Sequence, residues 1–106
     1  STYYRRSFLF SEKLKALIEE KGLNEGVVRA YLEALTEVPD SLVQAKFGIE
    51  TAREVSRRAG QALLDPTLEQ AGLLDLSLLE RDINPGSTAD LIAASLFIAL
   101  LRGLRF

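Results

Sequence analysis

The residues best placed to do chemistry lie in one stretch, Asp82-Ile83-Asn84-Pro85-Gly86-Ser87-Thr88-Ala89-Asp90, which runs straight into the apolar segment from Leu91 to Leu101. Asn-Pro-Gly is turn chemistry: Pro85 sets its own φ, and Gly86 can take angles that other residues avoid. Ser87 or Thr88 can then offer a hydroxyl to the free N–H groups of a helix start, and Ser87-x-x-Asp90 is a minimal capping box. A helix start with free N–H groups also suits a phosphate. Asp90 opposes a bare anion there, since two negative charges repel. A divalent cation between them removes the conflict, because Mg²⁺ is held by one or two carboxylates plus substrate phosphates. The plainer alternative stays open, because most such patterns before an apolar run are helix caps and nothing else.

A second cluster of polar residues begins at Pro39-Asp40-Ser41. Leu42, Ala45, Ile49, Ala52, Val55, Ala59 and Leu63 step by three or four, so a single long helix is expected from Asp40 onward. Its other face carries Lys46, Glu50, Arg53, Glu54, Arg57 and Arg58. Glu50 with Arg53, and Glu54 with Arg57 or Arg58, have spacings that pair on a helix surface. That face is either a solvated, ion-paired surface or, through Lys46, Arg53 and Arg57, one wall of a phosphate groove. Gly48 inside the helix suggests a close backbone approach, and Gly60 either another packing point or a frayed end.

The elements that position these groups follow from pattern and composition. The 106 residues suit one small domain with one core, 47% apolar and 26% charged. The net charge of −2 supplies no general field for nucleic acid, and aromatic residues do not alternate with the basic ones, so no nucleic-acid partner is expected. Cys and His are both absent, which excludes disulfides, thiolate metal sites, thiol nucleophiles and a Ser-His-Asp triad. The run Leu91–Leu101 is about half of what spans a bilayer, so no membrane segment is expected. The N-terminus lacks a signal-peptide pattern, which favours the cytoplasm, and its missing initiator Met leaves open a piece of a longer polypeptide.

Along the chain, Ser11 is the expected cap of a first helix carrying Leu14, Leu17 and Ile18 and stopped by Gly22. Asn24 is the expected cap of a second, with the stripe Val27, Val28, Tyr31, Leu32, Leu35 and Val38, ended by Pro39. Asp65-Pro66 reads as the start of a further helix with Leu68, Ala71, Leu74, Leu78 and Leu79 facing inward. No useful stretch alternates apolar with polar. The fold expected is all-α, about five helices packed around the apolar C-terminal one.

Asn84-Pro85-Gly86-Ser87-Thr88-Ala89-Asp90-Leu91 resembles the C-terminal signature of the triphosphoribosyl-dephospho-coenzyme A synthase family. Pro39-Asp40-Ser41, followed by Lys46 and Gly48, resembles that family's Asp-Ser/Thr segment with its basic residue and glycine. The resemblance covers residues 36–106 and implies an all-helical transferase that joins the ribose of ATP to 3′-dephospho-coenzyme A and releases adenine. It implies Asp40 and Asp90 as carboxylates near Mg²⁺, Asn84, Gly86, Ser87 and Thr88 as phosphate or ribose ligands, and Lys46 and Arg53 as neutralising cations. Nearby carboxylates also suit glycosidic cleavage, which builds positive charge on the sugar. The family's Glu-containing Pro-Lys-Pro-Gly type motif and its His-bearing motifs are absent here. The chain therefore reads as the C-terminal part of such a protein, not catalytically complete alone. Apolar surface is then expected where the missing N-terminal half, or a second copy, would dock. The alternative is a non-catalytic helical protein-interaction module.

Overall fold

A computed structural model describes residues 2–105, with side chains from Tyr4 onward. Among these residues all regular structure is helical: α1 (Thr2–Lys21), α2 (Leu23–Glu37), α3 (Ser41–Phe47), α4 (Ile49–Leu63), α5 (Glu69–Glu80) and α6 (Gly86–Leu101). The all-α expectation holds, with six helices in place of about five.

The extra helix arises at Gly48. There φ is +95°, which ends α3 and restarts the chain as α4. By spacing alone the stripe runs on across this position, which is why it reads as one helix, but Leu42 and Ala45, expected on its inner face, are exposed and Val43 is the buried residue of α3. No atom lies within 4 Å of where a Gly48 Cβ would sit, so the glycine serves backbone angle and not close approach. Gly48→Ala is therefore expected to cost about 1 kcal/mol through strain at positive φ, read as a lowered urea midpoint with unchanged slope.

Three other starts differ from expectation. Ser11 lies inside α1, buried, with its hydroxyl donating to the Phe8 carbonyl at 2.5 Å. Phe10, Leu14 and Ile18, all buried, carry the apolar stripe through it. Asn24 likewise lies inside α2, which begins at Leu23. α5 begins at Glu69, later than Asp65-Pro66 suggests, after Leu68 in a left-handed conformation at φ 63°. Asp65 still serves that start from a distance, accepting from the Thr67 N–H at 2.9 Å and the Gln70 N–H at 3.0 Å. These bonds hold its carboxyl below the usual range, the Thr67 hydroxyl contributing most.

The chain divides into two compact units, Ser1–Tyr31 with Ala89–Phe106, and Leu32–Thr88. In the first, the buried residues include Leu14 and Ile18 of α1, Ala30 of α2, and Leu91, Ile92, Ser95 and Ala99 of α6. The Ser95 hydroxyl donates to the Ser7 carbonyl at 3.2 Å, tying α6 to α1. α6 is not enclosed on every side: Phe97 and Leu101 are 63% and 72% exposed. It closes with the Leu104 N–H bonded to the Ala99 carbonyl at 2.9 Å and Gly103 at positive φ, a Schellman ending.

In the second unit α3 packs on α4 and α4 on α5. Val43, Ala52, Val55, Ala59, Leu74 and Leu78 are buried, whereas Leu79, expected inside, is 74% exposed. The buried Ser56 hydroxyl donates to the Leu35 carbonyl at 2.7 Å, and a Gly60 Cβ would meet Thr36 Cγ2 at 3.3 Å, which makes Gly60 a packing point. Small residues along α4 are what let its neighbours approach.

Candidate functional site

The expected turn forms within the second unit. α5 ends in its own Schellman motif: Asp82 sits in the left-handed region at φ 56°, and the Ile83 N–H reaches the Leu78 carbonyl at 2.9 Å. Ile83 and Pro85 are buried while Asn84 is exposed between them, so the apolar residues anchor the loop and the amide faces solvent. The Gly86 N–H bonds the Asn84 carbonyl at 2.7 Å. A Cβ on Gly86 would meet Leu42 Cδ1 at 2.8 Å, so the turn lies close against α3.

α6 begins at Gly86, which puts Ser87 and Thr88 inside its first turn. A capping box led by Ser87 is therefore not what starts this helix. Asp40 does that work from 48 residues away, accepting from the Thr88 N–H at 2.7 Å and the Thr88 hydroxyl at 2.8 Å through Oδ2. Its other oxygen, Oδ1, accepts from the N–H groups of Leu42 and Val43 at 2.9 and 3.0 Å, as N-cap of α3. One carboxylate thus caps two helices, and each oxygen has two donors. Asp40 is 2% and Thr88 5% exposed.

Beside this buried joint lies a more accessible rim. The Ser41 and Ser87 hydroxyl oxygens are 2.6 Å apart and hydrogen-bonded. Lys46 Nζ lies 3.6 Å from the Asp82 carboxylate and 5.4 Å from the Phe47 ring centre. With 65% and 95% of their side chains exposed, this ion pair is a weak restraint that a ligand can displace. Arg53 and Arg57 are exposed on α4, and the break at Gly48 separates them from Lys46. The expected shared face of Lys46, Arg53 and Arg57 rests on a continuous helix that does not exist. Glu54 pairs with Arg81, the residue just after α5, through two contacts of 3.1 and 3.2 Å, and not with Arg57 or Arg58. The hydrogen bond from Arg81 holds the Glu54 carboxyl below its usual range. Arg58 donates to the Ser77 hydroxyl at 2.9 Å. Asp90 is exposed on the second turn of α6.

The sequence-based site residues therefore divide into two groups. Asp40, Gly86, Ser87 and Thr88 meet at one joint, with Asn84 and Lys46 on the same unit. Asp82 lies in the same stretch but was given no role. Its signal was the residue before Ile83, at a helix end where Asp, Asn or Gly accepts a left-handed conformation. For Mg²⁺ the fit is partial. Asp40 does not suit a ligand role, since its four acceptor positions are filled by protein donors. Among the described residues no three carboxylates gather into a cage. The exposed Asp90 suits an ion that arrives with phosphates, which asks for only one or two carboxylates.

Comparison with known proteins bears on this arrangement. The sequence profile CitG, ATP:dephospho-CoA triphosphoribosyl transferase, matches residues 1–105, further towards the N-terminus than the motifs alone reach. A crystal structure described as a triphosphoribosyl-dephospho-CoA synthase from Archaeoglobus fulgidus superposes with a TM-score of 0.82 at 36% identity. That match covers 95% of this chain and 43% of the Archaeoglobus chain, so this chain spans less than half of its relative's length. No curated protein matches the chain significantly. No helix among the described residues is long and apolar enough to cross a membrane. A profile match along essentially the whole chain places this chain in the ATP:dephospho-CoA triphosphoribosyl transferase family.

Proposed function

We propose that this chain is the nucleotide-holding, C-terminal portion of an ATP:3′-dephospho-CoA triphosphoribosyl transferase and does not complete the transfer alone. Family membership over residues 1–105 is the observation that carries the reading. The substrates it implies are ATP and 3′-dephospho-coenzyme A. In the reaction the ribose leaves adenine and is joined to the dephospho-coenzyme A, with the triphosphate still attached.

In this reading Asp40 is a positioning residue. It fixes the first turns of α3 and α6 so that Asn84, Gly86 and Ser87 present a rigid polar edge to phosphate or ribose. Lys46 turns from Asp82 to the triphosphate, and Arg53 adds positive charge further along α4. Asp90 is the carboxylate offered to Mg²⁺, which when bound neutralises the phosphates. With no His in the chain, proton transfer to the departing adenine falls to a carboxyl group or to the portion of the synthase outside this chain. Exposed carboxylates also favour the positive charge that grows on the sugar as its glycosidic bond breaks.

Differential scanning fluorimetry tests this. Millimolar Mg·ATP is expected to raise the melting temperature by about 7 °C, since ligand at roughly ten times Kd adds about 1.4 kcal/mol. Asp90→Ala and Lys46→Ala are each expected to remove most of that shift while leaving the ligand-free melting point unchanged. No response to Mg·ATP up to about 10 mM, a large ligand excess, would leave the interaction-module reading in its place.

A further inference from the structure

The loop between α5 and α6 lies antiparallel along α3. Thr88 bonds Asp40, Ser87 bonds Ser41, the Cβ position of Gly86 faces Leu42 Cδ1, and Asp82 pairs with Lys46. Each residue further back in the loop meets one further along the helix, so these contacts share one register. The ends of the seam differ. At one end Asp40 and Thr88 are buried and fully bonded. At the other, Lys46 and Asp82 stand in solvent.

The exposed end does little for the fold. Ile83 and Pro85 are buried and the Ile83 N–H closes the Schellman motif, so the loop is fixed without the ion pair. An exposed pair of this kind contributes little to stability. The left-handed position at Asp82 is one that Asn or Gly also fills. What an aspartate adds there is a negative charge, held against Lys46 by the loop that carries Asn84, Gly86 and Ser87.

Given a polyphosphate ligand at this edge, as the proposed function has it, we propose that Asp82 is a specificity-determining residue. It disfavours bare polyphosphate and admits polyphosphate that carries a divalent cation. A bare triphosphate gains Lys46 only by displacing Asp82, and the displaced carboxylate then faces oxygens of its own sign. That repulsion grows with the charge of the ligand. A divalent cation on the phosphates cancels part of their charge, and the repulsion falls in proportion.

The test is isothermal titration calorimetry on the full chain at about 0.1 M salt. The probe is tripolyphosphate, titrated once with a chelator and once with excess Mg²⁺. Asp82→Asn is expected to tighten binding of the bare probe about fivefold, and of the Mg²⁺ form by no more than about twofold. Near 1 M salt, where charges are screened within about 3 Å, the difference should vanish. Glu80→Gln removes the same charge from the exposed end of α5 and should leave the preference as it is in the parent. Asn takes the same backbone angles, so the melting temperature should not move. The proposal is overturned if Asp82→Asn changes both forms by one factor, if the bare form gains nothing, or if Glu80→Gln has the same effect. Repeating the titrations with ATP keeps the two readings apart. ATP binding that is indifferent to Asp82 removes the selectivity and leaves the nucleotide site. Tripolyphosphate binding with the full Asp82 effect, but none of ATP, does the reverse. Binding of neither probe removes both.

Discussion

Asp40→Ala is expected to lower stability by about 3 kcal/mol. Truncation removes four accepted hydrogen bonds and strands the Val43 and Thr88 N–H groups with no acceptor. Bonds to a charged acceptor contribute about 1.5–3 kcal/mol each when cut singly, and a helix cap about 1. The four are not additive, because water reaches part of the vacated space near exposed Leu42. About 3 kcal/mol against a typical domain total of 5–15 corresponds to a fall in melting temperature of roughly 15 °C. Asp40→Asn should retain about half, since its amide keeps one acceptor and turns a donor toward an existing donor. Thr88→Val should cost about 1 kcal/mol, losing the hydroxyl but keeping the N–H bond. Urea unfolding followed by circular dichroism reads all three. If Asp40→Ala unfolds within about 0.5 kcal/mol of the parent, the double-cap account is wrong.

Gly26→Ala is expected to cost about 2 kcal/mol, for the opposite reason: added atoms in place of lost bonds. A Cβ at Gly26 would lie 2.7 Å from Ile18 Cα and 2.8 Å from Ile18 N. Those are backbone atoms of α1, which cannot rotate away as a side-chain tip can, so the α1–α2 pair must open. Overpacking of this kind costs typically 1–3 kcal/mol, with rigid obstacles at the upper end. The gain in helix propensity from Gly to Ala, about 1 kcal/mol, offsets part of it. Gly72→Ala supplies the contrast, since nothing lies within 4 Å of its Cβ position in α5. That substitution should stabilise by up to about 1 kcal/mol. Equal effects at the two glycines in thermal melts would remove the packing argument.

What could be read from the sequence was what is local. Leu14 and Ile18, or Val55, Ala59 and Leu63, lie on helices because their spacing leaves no other period. Gly22 and Pro39 end helices through their own backbone restrictions. The misreadings are also local in origin. Ser11 has the chemistry of a cap, yet its hydroxyl can satisfy itself on the Phe8 carbonyl, so a serine there does not oblige a helix to begin. Gly48 sits between two stretches whose spacing reads as one helix, and only its φ distinguishes a break from a weak turn. Within the candidate site, the turn at Asn84-Pro85-Gly86 was legible from residue type. The Asp40–Thr88 bond was not, because each residue also makes sense as a cap of its own helix. Nor does composition reveal that an apolar α6 would leave Phe97 and Leu101 facing solvent. A uniform helix has no pattern from which its inner side can be chosen.

The double duty of Asp40 has a consequence for how the chain reaches its final form. α6 leaves the ribosome after all the other helices, and its opening turn acquires an acceptor only from material synthesised 48 residues earlier. The first turns of α3 and α6 therefore fray and re-form as one event, not as two independent ends. A rearranged chain that began with α6 would have to wait for its anchor, and its leading helix would be the last to settle.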